Sequence, residues 1–157
     1  MAKFYTGIGS SNTPKYILLK INRISRKLSK KGYILRSGAA NGSDTAFEKM
    51  AIQKEIFLPF QKFNYNNSSL FEIDEIYFKI ASIYVKDFYN ESLIEQNFIA
   101  RDVQQVINND IKSEFLICWT RNGATNRSFS RKRTGGTWYA IALADYLNIP
   151  IYNLANY

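Results

Sequence analysis

The residues best suited to chemistry in this sequence gather at three glycine-bearing turns. They are Thr6-Gly7-Ile8-Gly9-Ser10-Ser11, Ser37-Gly38-Ala39-Ala40-Asn41-Gly42-Ser43-Asp44 and Thr134-Gly135-Gly136-Thr137. Glycine lets a backbone turn sharply and approach a ligand with no Cβ in the way. The N–H groups of a following helix's first turn favour an anion, most often phosphate. Three such turns in one small chain point to a pocket for a nucleotide or a nucleotide-derived phosphorylated molecule. The ligand set read from them is Gly7, Gly9, Ser10, Ser11, Ser37, Gly38, Ala39, Asn41, Gly42, Ser43, Thr134, Gly135, Gly136 and Thr137. Asp44 stands where a carboxylate accepts from ribose hydroxyls or a base edge, or caps a helix.

Charged residues extend the set. Arg36 ends a strand-like run just before the second turn, within swing of the pocket. The stretch 121–133 carries five cations and no acid, and ends at the third turn. Its Arg127, Arg131 and Arg133 suit bidentate phosphate contacts, and Phe129 suits stacking. Thr45 and Glu48 have the spacing of a capping box. If a glycosidic bond is cleaved here, Asp44 or Glu48 is the catalytic carboxylate. There is no histidine, which removes the commonest general base and a favoured metal ligand. No metal and no cofactor is expected, and binding without turnover is favoured over catalysis.

Elements that would position these residues follow from periodicity. Lys3–Ile8, Tyr33–Ser37, Glu55–Pro59, Glu114–Trp119 and Ile149–Leu154 read as strands. Ile17, Leu18, Ile21, Ile24 and Leu28 form a helical stripe, opened by Thr13 as N-cap with Pro14 in the first turn and closed at Gly32. Further helices are expected over Ala46–Gln53, from Asp74 through Tyr84, through Ile94–Ile107, and over Thr137–Leu147. Residues 61–73 have turn composition. Strands alternating with helices predict a Rossmann-like three-layer α/β/α sandwich with a mainly parallel sheet of about five strands. At 157 residues and 46% hydrophobic content, one domain spanning 1–157 is expected. The lone Cys118 reads as core filler in a reducing cytoplasm, with no membrane segment. The +8 net charge suits an anionic partner, single-stranded nucleic acid included.

The order of motifs resembles the SLOG superfamily, the Rossmann-like domains shared by the DNA-processing protein DprA/Smf and the LOG-type phosphoribohydrolases. The likeness is carried by Tyr5–Ser10, Leu35–Glu48, Lys54–Phe60, Ala100-Arg101-Asp102, Thr134–Thr137 with Ala140-Ile141-Ala142, and Ile149–Leu154. It is strongest toward short, single-domain, often phage-encoded members. The resemblance implies Arg101 near the ligand and a homo-oligomer. LOG-type hydrolases carry a glutamate three residues after the threonine of the last motif; here that residue is Ala140. What the resemblance implies is therefore retention of a ligand, as in a phage sponge for a nucleotide immune signal. The alternatives are a nucleoside-phosphate hydrolase or ribosyltransferase, and DprA-like binding of single-stranded DNA.

Overall fold

A computed structural model describes all residues 1–157. Five parallel strands form the central sheet in the order β3-β2-β1-β6-β7. They are β1 (Lys3–Gly9), β2 (Tyr33–Ser37), β3 (Lys54–Ile56), β6 (Leu116–Trp119) and β7 (Ile151–Asn153). Side chains alternate across the sheet, which builds two cores. On β6, Leu116 and Cys118 face one layer while Ile117 and Trp119 face the other. One layer holds α1 (Lys15–Lys30) and α2 (Ser43–Met50); the other holds α3 (Glu75–Tyr84), α4 (Leu93–Val106) and α6 (Trp138–Tyr146). The three-layer α/β/α arrangement is the one predicted. Burial of Cys118 pushes its thiol well above the ordinary range, as fits a residue enclosed between layers.

The α1 stripe packs as expected. Ile17 and Ile21 are buried, and Leu18, Ile24 and Leu28 flank them. Gly32 takes φ +85° after the helix, the left-handed C-terminal turn that glycine makes without strain. Asp74 caps α3 by accepting from the Ile76 N–H at 3.0 Å.

Several local expectations are corrected. Thr13 does not cap α1: Pro14 precedes the helix, and the Thr13 hydroxyl donates to the Ser10 carbonyl at 2.6 Å. α2 starts at Ser43, three residues before the predicted Ala46, so the second glycine turn runs straight into the helix. The Thr45–Glu48 capping box is not formed. Glu48 instead holds Lys54 at 3.3 Å and Asn66 at 3.1 Å. The end of the basic stretch forms a short helix, α5 (Arg131–Thr134), capped by Ser130, whose Oγ accepts from the Arg133 N–H. A hairpin of β4 (Ile107–Asn108) and β5 (Ile111–Lys112) was not foreseen. Its two-residue turn is Asn109-Asp110 at φ +51° and +62°, the twist that primed hairpin turns require.

Candidate functional site

The sheet order places β1 between β2 and β6, and the order of strand addition reverses there, β2 and β3 lying to one side of β1 and β6 and β7 to the other, all strands remaining parallel. Open α/β sheets take their ligands outside the carboxyl ends of the strands at such a switch point. A cleft of about 450 Å³ lies there, within the range of small-molecule sites. Its walls are the end of β1 with Ser10, Ser11 and Asn12; Ala40 and Asp44 at the start of α2; Glu95, Phe98, Arg101, Asp102 and Gln105 on α4; and Thr134–Thr137 with Tyr139 and Ala140.

Two rims of this cleft present open backbone. Ser11 is exposed where the backbone leaves β1. Across the cleft, Gly135 and Gly136 form the turn between α5 and α6. A Cβ at either would meet nothing within 4 Å. Gly135 needs to be glycine for its φ of +79°, whereas Gly136 has neither a positive φ nor a close neighbour. Neither packing nor backbone geometry requires glycine at 136, and its main chain lies open to the cleft.

The floor has the opposite character. Asp44, only 4% exposed, accepts from the N–H of Gly9 at 3.0 Å and of Ala40 at 3.4 Å. Burial nonetheless pushes its carboxyl up to about 7, against the pull of Arg101 and of those two amides. Arg101, 5% exposed, donates through Nη1 to the carbonyls of Gly38 at 2.5 Å and Phe57 at 3.3 Å, and through Nε to Asp102 at 2.9 Å. Burial raises Asp102 to about 6 even so. The floor thus presents carboxyl oxygens that accept from hydroxyl or amino groups, and a guanidinium fixed by three acceptors.

Of the residues named from sequence, Gly9, Ser10, Ser11, Asp44, Arg101, Thr134, Gly135, Gly136 and Thr137 line the cleft. The others serve the scaffold around it. Gly7 faces Phe47 at 2.6 Å and Leu35 at 2.9 Å for any added Cβ, so it is a packing glycine. Ser37 donates to the Gly7 carbonyl at 2.6 Å. Gly38 abuts Gln105 and Arg101, and Gly42, at φ +86°, abuts the Ser10 carbonyl. Ser43 is fully buried against the Thr13 hydroxyl at 2.7 Å. Ala39 is buried at φ +60°, its carbonyl accepting from Asn64 at 3.0 Å. Asn41 is exposed outside the cleft.

The arginines depart most from expectation. Arg36 does not swing over the cleft. It is 1% exposed, paired with Glu55 at 2.9 Å, and donates to the Ile111 carbonyl at 2.7 Å, pinning the β4–β5 hairpin to the sheet. Arg127 pairs with Asp145 at 3.7 Å. Arg131 sits at the rim, held by Glu91 at 3.2 Å and by the Tyr139 hydroxyl. Arg133 is exposed without an ion pair. The 121–133 stretch therefore does not close as a guanidinium clamp, and Arg101 is the one arginine in the cleft wall. Glu48 lies outside the cleft, with Lys54 and Asn66.

Sequence reading missed the α4 wall. Glu95, Phe98, Asp102 and Gln105 recur at spacings of three and four, which places them on one helix face. A polar face on a helix whose remaining positions are largely buried was the available signal.

No family model matches the sequence, and a search of curated proteins finds no relative. Among solved structures, the fold is similar to DNA processing protein A from Helicobacter pylori, in a structure describing its single-stranded DNA binding mode. The match has a TM-score of 0.62 at 21% identity and covers 97% of this chain and 64% of that one. The present chain thus spans about two thirds of that neighbour. At this identity the likeness establishes the shared α/β fold.

Proposed function

We propose that the cleft at the β1–β6 switch point binds a nucleotide or nucleotide-derived phosphorylated small molecule. Gly136 carries the reading: its main chain lies open on the cleft with nothing within 4 Å of where a side chain would start, which supports close approach of a ligand. Donors at the Ser11 and Gly135–Thr137 rims suit phosphate, and carboxyl acceptors at Asp44 and Asp102 suit ribose hydroxyls or an exocyclic amine. Retention without turnover is favoured, because Ala140 offers no carboxylate beside the third turn and Asp44 is tied to two amides. Sequestration of a nucleotide signal by a homo-oligomer is the biological form this reading takes. Thermal-shift screening with nucleotides, cyclic dinucleotides and ADP-ribose, with chromatography for released base, tests it. Stabilisation without base release is expected. No stabilisation by any of them would end the proposal, and release of base would convert it to N-glycosidic hydrolysis at Asp44.

The fold likeness to a DNA-processing protein supports a second reading, single-stranded DNA held along the basic 121–133 stretch. Its signature is a steep fall of oligonucleotide affinity with salt, which a mononucleotide pocket does not require.

A further inference from the structure

The cleft at the β1–β6 switch point contains one polar group with no work in the fold. Gln105 lines it from the last turn of α4 and is 2% exposed. Its main-chain carbonyl accepts from the Thr6 and Ser113 hydroxyls. Its carboxamide makes no hydrogen bond within the protein, and neither Nε2 nor Oε1 is sealed off, unlike Oε1 of the adjacent Gln104. A buried donor and acceptor left unmade are costly, and native structures rarely keep them without a reason. Because both atoms stay reachable, a ligand in the cleft can satisfy the donor and the acceptor together, whichever way the carboxamide is turned.

Packing holds this group in place. A Cβ at Gly38 would collide with Nε2 of Gln105 and lie 2.7 Å from Arg101 Nη1, so the carboxamide rests against backbone beside the guanidinium. A group already fixed in this way loses little freedom when a ligand arrives.

An N–H beside a carbonyl oxygen is complementary to the edge of a nucleobase. The neighbours decide which base fits. Arg101 is committed to the Gly38 and Phe57 carbonyls and to Asp102, so acceptors from Asp44 and Asp102 predominate on the floor. An exocyclic amine brings two N–H groups, one for the carboxamide and one for a carboxylate, whereas a keto oxygen brings none. Phe98, two turns earlier on α4, adds an aromatic wall.

We propose that Gln105 is the specificity-determining residue of this cleft, pairing through its carboxamide with the amine and adjacent ring nitrogen of adenine or cytosine. This role rests on the cleft holding a nucleotide, and it orients one: base against α4, phosphate toward Gly135 and Gly136.

Calorimetry of the whole chain with AMP, CMP, GMP, IMP, UMP and ribose 5-phosphate tests it. AMP or CMP should bind about tenfold or more tighter than its keto counterpart, IMP or UMP, and than ribose 5-phosphate. Gln105→Met, close in volume, should bring the preferred nucleotide to within about threefold of ribose 5-phosphate. Gln105→Glu replaces the donor with a second acceptor and should move the preference to GMP, whose N1–H and N2–H both donate. A purely structural Gln105 would lower the melting temperature and leave the ranking of bases alone. In the wild type, the Gln105 side-chain amide resonances should shift with the preferred nucleotide and stay in place with ribose 5-phosphate. If nucleotides bind but both variants keep the wild-type ranking, the role of Gln105 is overturned while the nucleotide reading stands. A wild-type preference for GMP, IMP or UMP, or ribose 5-phosphate binding as tightly as AMP and CMP, overturns it equally. Binding of none of these probes overturns both.

Discussion

The main-chain N–H of Gly9 donates to Oδ1 of Asp44 at 3.0 Å, joining the last residue of β1 to the first turn of α2. Two of the glycine turns are thereby locked in register by a side chain that also faces the cleft. The same carboxyl sets the wall position and contributes to the chemistry of the floor.

A pH dependence follows from that placement. Burial raises Asp44 from 3.8 to about 7, and Asp102 moves the same way to about 6. A carboxyl with a raised folded pKa binds more protons folded than unfolded, so its contribution is fully present below the ordinary value and is lost as pH rises through the folded one. The melting temperature of the wild type, measured relative to Asp44→Asn, should fall between pH about 4 and 7 and then level off. A difference that rises with pH over that window would contradict the assignment.

Gly136→Val separates binding from folding. Its Cβ would meet nothing within 4 Å, so stability should change by less than about 0.5 kcal/mol. Affinity for a ligand seated on that turn should drop about tenfold or more. Gly38→Val should behave in the opposite way. Its Cβ would collide with Gln105 and come within 2.7 Å of Arg101 Nη1, so urea unfolding should report a loss of about 1–3 kcal/mol.

Arg36 offers the complementary control. Arg36→Met breaks its pair with Glu55 and frees the hairpin carbonyl at Ile111. The expected cost is roughly 3–5 kcal/mol in urea unfolding, as for breaking other buried pairs. Nucleotide affinity of the folded fraction should stay at the wild-type value, because Arg36 lies outside the cleft wall.

Lys132 and Arg133 are exposed, and neither belongs to an ion pair. Lys132→Ala with Arg133→Ala should lower the salt slope of oligonucleotide binding by about 1–2 if they meet phosphates. Mononucleotide affinity, measured by calorimetry, should remain within about twofold under the same change.

The strands and the sheet class were legible because apolar runs and glycine turns are local signals. Phe115–Trp119 announces a strand covered on both faces, and Leu116–Trp119 is buried throughout. The β4–β5 hairpin was hidden because Ile107 continues the apolar spacing of α4, although Asn109-Asp110 between two isoleucines is itself turn chemistry. Arg36 misled for a different reason. Sequence shows that it ends near a glycine turn but not that Glu55, on the neighbouring strand, lies within reach of it. The α4 wall was the costliest omission: Arg101 was placed by resemblance, while Asp102 beside it and Glu95 a turn or two earlier passed as ordinary helix polarity. Side-chain pairing across distant segments is a tertiary property, and no local pattern encodes it.

The central position of β1 has a consequence for how the molecule is made. The Thr6 hydroxyl bonds Ser113, 107 residues further along, and β1 closes against β6 only after that stretch exists. At translation rates of about 5–20 residues per second, a nascent chain exposes one flank of its first strand for on the order of 5–20 s before the partner emerges from the ribosome. Throughout that interval the unpaired edge is a template for misassociation.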